Sequence, residues 1–105
     1  MTPVQLATLV AEVKGYLGIT WDDEITHRQV EGFVSSSIAY INGKLPKEAD
    51  FSVPGAPRDL LMDRCRYMRD GALDVFEQNY LGQILAMQHG EQVKQYAQST
   101  LSEQQ

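Results

Sequence analysis

Hydrophobic residues in the first half of the chain recur every three or four positions, which predicts amphipathic helices. The apolar stripe of a first helix consists of Leu6, Leu9, Val10, Val13 and Leu17. This helix begins after an N-cap at Thr2, with Pro3 in its first position, and ends at Gly18. The apolar stripe of a second helix consists of Val30, Phe33, Val34, Ile38 and Ile41. That helix begins after Thr20, which can act as its N-cap, and ends at Asn42.

The longest apolar pattern runs from Leu60 to Leu81 and predicts one continuous third helix, opened by Pro57. Its apolar face consists of Leu61, Cys65, Met68, Ala72, Val75 and Phe76. Its opposite face consists of Asp59, Asp63, Arg66, Asp70, Asp74 and Glu77. Five more apolar residues lie on neither face: Leu60, Met62, Tyr67, Leu73 and Tyr80. Because a short chain has little surface to cover them, we expect another copy or a partner protein to do so.

Two segments of the chain lack a clear helical pattern. Residues 44–57 contain three prolines and a glycine, which exclude regular helix and predict a long loop that Phe51 and Val53 anchor. After Leu81, Gly82 breaks the pattern; the apolar segment that follows favours helix over a short extended segment, and the residues from 95 onward form a polar tail. We therefore predict an all-α bundle of three main helices with a Pro-rich loop and a C-terminal segment. Residues 1–94 form the domain and residues 95–105 a flexible tail.

Length and charge narrow the classes of function. The chain has 105 residues and a net charge of −5, which allows one domain and argues against binding to nucleic acid or to an anionic membrane. Its single cysteine excludes a disulfide within the chain. No apolar run approaches the roughly 18 residues of a membrane span, and the N-terminus lacks the features of a signal peptide. We expect a soluble protein made in a reducing cytoplasm.

The residues that could form a catalytic or metal site are better explained by structural roles. Asp22, Asp23 and Glu24 could suggest a metal or acid–base cluster, but adjacent helical residues do not converge, and acidic residues favour a helix N-terminus. The two histidines, His27 and His89, are isolated and do not make a zinc site. No motif of a nucleotide-binding loop, metalloprotease or hydrolase is present. We expect no enzyme activity, no cofactor and no metal.

The arginines and the tryptophan leave alternatives open. Arg66 can pair within its own helix with Asp63 and Asp70, which is the favoured interpretation of the Arg64, Arg66 and Arg69 group. The alternative is that some of these arginines reach carboxylates across a subunit boundary. Trp21 fits equally well a position at the edge of the core and a position in an interface, where tryptophan is enriched.

Taken in order, these elements resemble a known family. The parts that carry the resemblance are the junction LGITWDDE at residues 17–24 and the helix LLMDRCRYMRDGALDVFEQNYL at residues 60–81. With the hydrophobic segment that follows, they resemble the tailed-phage head–tail connectors, and above all the connectors of phages and prophages of Gram-positive bacteria. The resemblance covers residues 4–94. These connectors are small helical adaptors beneath the portal.

The resemblance implies a structural function. Connector subunits form a ring, commonly of twelve, between the portal and a tail-side stopper or adaptor protein. DNA passes through the ring without specific binding, so the expected location is the head–tail junction of the virion, after synthesis in the host cytoplasm. Combining this likeness with the apolar and arginine patterns gives the expected interface residues: Trp21, Met62, Arg66, Tyr67, Arg69, Leu73, Tyr80, Ile84, Leu85 and Met87. The alternatives are a small helical DNA-binding or regulatory protein and an accessory subunit of an enzyme.

Overall fold

The computed structural model describes residues 1–103, with side chains for residues 1–97. It contains four helices: α1 (Pro3–Tyr16), α2 (Glu24–Asn42), α3 (Ala56–Arg69) and α4 (Leu73–Glu103). No strand occurs in this part of the chain. The predicted all-α class is confirmed, whereas the predicted number of three main helices is wrong.

The ends of the first two helices follow from local hydrogen bonds. Thr2 accepts from the backbone N–H of Gln5 at 3.1 Å and caps α1, as predicted. Gly18 adopts a φ of 74° and ends the same helix, which confirms its predicted role as a left-handed cap. The N-cap of α2 is Asp23, not Thr20 as predicted, because the Asp23 carboxylate accepts from the backbone N–H of Thr26 at 3.2 Å.

A turn at Gly71 divides the predicted third helix into α3 and α4. Gly71 has a φ of 71°, which is open to glycine and costly for other residues. The backbone N–H of Ala72 donates to the carbonyl of Tyr67 at 2.8 Å, and that of Gly71 donates to Met68 at 3.2 Å. These two bonds form the paired cap that ends many helices. The continuous helix predicted from Leu60 to Leu81 is therefore wrong.

The fourth helix continues through the residues that the sequence pattern left ambiguous. Gly82 and Gly90 lie inside α4, so the predicted break at Gly82 is wrong. A glycine inside a helix costs about 1 kcal/mol relative to alanine, and α4 offsets this by burying Phe76, Ile84 and Met87. Residues 95–103 of the predicted tail continue the helix, whereas 104 and 105 lie outside the described residues. The domain boundary at residue 94 stays a prediction.

The core forms where α3 meets the other three helices, while α1 also packs against α2. Fully buried side chains at its centre include Val13, Val34 and Leu61. The loop between α2 and α3 closes one end of this core with the buried ring of Phe51, as predicted, whereas Val53 stays exposed.

The turn at Gly71 also determines the burial of the five apolar residues that were expected to contact another molecule. Leu60 is buried, and Met62, Tyr67 and Tyr80 are half-buried against the core of the same chain. Leu73 remains 38 % exposed. Because the chain folds back on itself at Gly71, it covers most of this apolar surface. The expectation that these residues need another molecule is wrong for Leu60 and weakened for Met62, Tyr67 and Tyr80, whereas for Leu73 it stays a prediction.

Candidate interaction surface

One partly exposed surface unites three of the predicted interface residues. Arg66 and Tyr67 lie near the end of α3, and the turn at Gly71 returns α4 beside them so that Tyr80 meets Tyr67. Three further residues complete the surface: Tyr16, Asp63 and Asn79. We call these six residues the tyrosine patch.

Aromatic stacking fixes the part of the patch that α4 contributes. The rings of Tyr67 and Tyr80 meet edge to face with centroids 5.5 Å apart. Both rings also contact the buried Phe76, which stacks on Tyr80 at 4.7 Å. Asn79 donates to the hydroxyl of Tyr67 at 3.2 Å. Aromatic pairs of this geometry add stability beyond their buried area, so the two tyrosines are held in place.

Asp63 is the acidic centre of the patch. The hydroxyl of Tyr16 donates to the Asp63 carboxylate at 2.7 Å, and this hydrogen bond, together with burial, raises the pKa of Tyr16. Burial and the nearby charge of Asp63 raise the pKa of Tyr80 to about 12. Both phenols are protonated at neutral pH, as tyrosines ordinarily are, and the raised pKa values extend this state to more alkaline pH.

Arg66 is the cationic group of the patch. Its guanidinium carbon lies 5.8 Å from the centre of the Tyr67 ring. Among the described side chains, no carboxylate lies within 4 Å of it, so the predicted pairing with Asp63 and Asp70 does not form. Asp63 bonds to Tyr16 instead, and Asp70 pairs with Arg69 at 3.3 Å. Arg66 thus keeps its donors available to a partner.

The other two arginines have structural roles within the chain. Arg69 donates to the carbonyl of Leu17 at 2.5 Å and so satisfies the C-terminal end of α1. Arg64 is buried, and its guanidinium donates to the hydroxyls of Ser36 and Ser37 at 3.1 and 3.0 Å. Its guanidinium also lies over the Tyr40 ring at 4.6 Å. Burial lowers the pKa of Arg64 because desolvation disfavours its charge.

The remaining predicted interface residues do not join the patch. Trp21 lies in the turn between α1 and α2, is 57 % exposed and donates to Thr26 at 3.3 Å, so it is not a core residue. Leu85 is exposed on α4. Ile84 and Met87 are buried in the subunit's own core, where their apolar surface is already covered.

Two of the residues considered for a metal or acid–base site, Asp23 and His27, have local partners. Asp23 caps α2, and hydrogen bonds from Thr26 lower its pKa. His27 faces Lys14, with Nδ1 and Nζ 2.8 Å apart. Within the described residues, no group of three or more potential ligands could hold a metal ion. No helix in the same part of the chain combines the length and hydrophobicity needed to cross a bilayer.

The patch includes residues that the sequence pattern did not indicate. Tyr16 and Asp63 are far apart in the sequence and meet only because α1 and α3 end at the same side of the bundle. In the sequence, nothing distinguishes Asp63 from the other acidic residues of a solvated helix face. Comparison with protein-family models, curated proteins and solved structures finds no match to this chain.

Proposed function

We propose that this protein is a structural adaptor that joins the portal of a tailed phage to its tail, as a ring around the DNA exit channel. The proposal begins from the resemblance of residues 17–24 and 60–81 to head–tail connectors. The observation that carries it is the tyrosine patch, where Arg66 keeps free donors beside Tyr16, Tyr67 and Tyr80.

The composition of the patch suits a subunit contact. Tyrosine and arginine are enriched among the residues that contribute most to protein interfaces. Here the Tyr67 and Tyr80 rings are already held by Phe76, so little side-chain freedom is lost on contact. Arg66 can bind a carboxylate with two hydrogen bonds, and an acidic neighbouring copy offers many carboxylates. A head-to-tail contact of this kind closes into a ring when its rotation allows closure.

The charge of the chain supports the same proposal. A protein that carries a net charge of −5 does not hold the phosphates of duplex DNA strongly, which suits a channel through which DNA must move. The alternative of a DNA-binding regulator would require a basic surface. Instead, the exposed residues of this region include the acidic Asp59 on α3 and Asp70 directly after it.

The test is assembly with a portal protein. The purified chain is mixed with the portal protein encoded in the same genome, and the mass of the products is measured. We expect a ring on the portal for the wild-type chain and for Arg28→Glu, which changes an exposed arginine outside the patch. We expect Arg66→Glu to reduce ring formation at least about tenfold, since a central charged contact is worth more than 1 kcal/mol.

Three results would count against the proposal in different ways. A wild-type chain that never joins the portal would refute the adaptor function. A ring that forms equally well with Arg66→Glu would refute the patch as its subunit contact. Tight, salt-sensitive binding of the chain alone to duplex DNA would favour the regulator instead.

A further inference from the structure

The second half of α2 presents a face made of small, uncharged residues. On a helical projection of about 100° per residue, the members of this small-residue face are Gly32, Ser36, Ala39 and Gly43. All of them are exposed except Ser36, which is half-buried. The one charged residue of α2 between positions 29 and 43 is Glu31, which lies about 100° from Gly32 and faces His27 at 3.5 Å. The face itself therefore carries no charge.

A buried cation lies beneath this face. Arg64 of α3 is only 7 % exposed, and its Nη1 donates to the hydroxyls of Ser36 and Ser37 at 3.1 and 3.0 Å. Because Ser36 is half-buried in the small-residue face, the guanidinium lies one side chain below the surface of α2. Its Nε is buried without an acceptor, and its Nη2 donates to no group among the described side chains. The edge formed by Nε and Nη2 can bind both oxygens of a carboxylate.

The charges around the small-residue face leave Arg64 unbalanced. No carboxylate of a described side chain lies within 4 Å of it. At the C-terminal end of the face, Lys44 pairs with Glu77 at 3.2 Å. One turn before the face, Arg28 pairs with Glu24 at 2.8 Å. The charges cancel within each pair, whereas Arg64 keeps a positive charge of the kind that buried sites normally pair. The face is thus complementary to a carboxylate.

The other edge of the small-residue face borders an apolar groove. On the helical projection, Ser35 and Ser36 lie on opposite sides of Gly32, so the groove and Arg64 flank the face. The groove has a volume of about 320 Å³ and lies between the start of α1 and α2. It is lined by Met1, Thr2, Pro3, Leu6, Ser35 and Ile38. This groove is open to an apolar side chain.

We propose that the small-residue face docks a helix of another protein, which places a carboxylate over Arg64 and an apolar side chain in the groove. The distance between two packed helices depends on the side chains at their contact, so small residues allow a close approach. The face from Gly32 to Gly43 spans about 16 Å, which accommodates three turns of a partner helix. A second copy docked by the same face would bring two unpaired guanidinium groups together, so the charges favour a different, acidic partner.

The test uses two synthetic helical peptides of about 18 residues that differ only at the central residue, which is glutamate in one and glutamine in the other. Both peptides are alanine-based and carry a leucine one turn from the central residue. A staple on the outer side keeps them helical before binding, which removes the cost of ordering them. Fluorescence anisotropy measures their binding to the full chain. We expect the wild-type chain to bind the glutamate peptide at least about tenfold more tightly.

Two variants separate the charge from the surface. Arg64→Met should bind both peptides equally, because the cation that distinguishes glutamate from glutamine is gone. Ala39→Trp adds bulk at the centre of the small-residue face and should weaken binding of the glutamate peptide at least about tenfold. Ala11→Trp is the matched control, because Ala11 is likewise an exposed alanine inside a helix, and it should leave binding unchanged.

Three outcomes would overturn the docking face. They are no binding of the glutamate peptide at about 1 mM, equal binding of the two peptides by the wild-type chain, and undiminished binding by Ala39→Trp. Sedimentation of the chain alone tests the other occupant, since a dimer that Ala39→Trp disrupts would assign the face to a second copy instead. Because no portal protein takes part in these measurements, their result is independent of the proposed adaptor function.

Discussion

Replacing Gly71 with alanine should destabilise the protein, and the sign of this effect tests the turn between α3 and α4. Gly71 has a φ of 71°, where a residue with a Cβ pays about 1–2 kcal/mol. Alanine recovers about 0.5–1 kcal/mol by restricting the unfolded chain. A Cβ at this position meets no atom within 4 Å, so the balance is a backbone effect. The expected net loss is about 0.5–1 kcal/mol.

Gly32→Ala is the matched control for this substitution. Gly32 lies inside α2 with helical geometry, and a Cβ there also meets no atom within 4 Å. Alanine should therefore stabilise the protein by about 0.5–1 kcal/mol. Urea unfolding followed by circular dichroism measures both changes, provided that the slope with denaturant stays constant. If Gly71→Ala also raised stability, Gly71 would be helical and the division of α3 from α4 would be refuted.

Three further predictions concern single side chains. Because the pKa of Tyr80 is raised from 10.0 to about 12, its contribution to stability is complete below pH 10 and is lost as the pH rises through 12. Tyr80→Phe should therefore lose less stability than the wild type between pH 10 and 12, as measured by urea unfolding. An equal loss in both proteins would contradict the raised pKa. Arg64 is a buried cation with no carboxylate partner among the described side chains. Arg64→Met should keep stability within about 1 kcal/mol of the wild type, because an apolar side chain of similar length fills the site, while Arg64→Ala should lose about 2–3 kcal/mol. A larger loss for methionine in thermal unfolding would show that the charge itself is required. Phe51→Ala should cost about 3–5 kcal/mol and Val53→Ala less than about 0.5 kcal/mol, since the Phe51 side chain is buried and that of Val53 is exposed. Equal shifts of the urea midpoint would mean that Phe51 does not anchor the loop.

The local signals of the sequence predicted α1 and α2 well. Thr2 and Gly18 act through neighbours a few residues away, so their effect on the helix ends is readable without a three-dimensional structure. The N-cap of α2 was misplaced because Thr20 and Asp23 both fit the capping preference. Only the geometry decides between them, and it selects Asp23 through its bonds with Thr26.

The turn at Gly71 was missed because the apolar pattern continues across it. Met68, Ala72 and Phe76 repeat every four residues, so periodicity alone favours one helix. A glycine in such a pattern is compatible with a weakened helix or with a break, and the bonds from Ala72 to Tyr67 decide the outcome. Missing this turn also led to the wrong burial for Tyr80. A continuous helix would expose Tyr80, whereas α4 packs it against the core.

The polar contacts between helices could not be predicted at all. Arg64 reaches the serines of α2, and Tyr16 of α1 reaches Asp63 of α3, across more than 25 residues in each case. Local spacing predicted instead that arginines would pair with acidic residues on the same helix. Charged side chains are long and flexible, so their partners depend on which helices pack together. The placement of Arg66 beside Tyr67 is thus a product of the fold.

Because Cys65 is buried, its rate of modification by a thiol reagent measures how often the folded protein opens. Its thiol is fully buried between α2 and α3, where it contacts Ser37, and burial raises its pKa. A thiol reagent can reach it only after the two helices separate, and an opened molecule that has reacted cannot close again as before. The rate of labelling therefore reports how often the folded state opens, with no added probe. In an oxidising medium the same residue would mark those copies that had already unfolded.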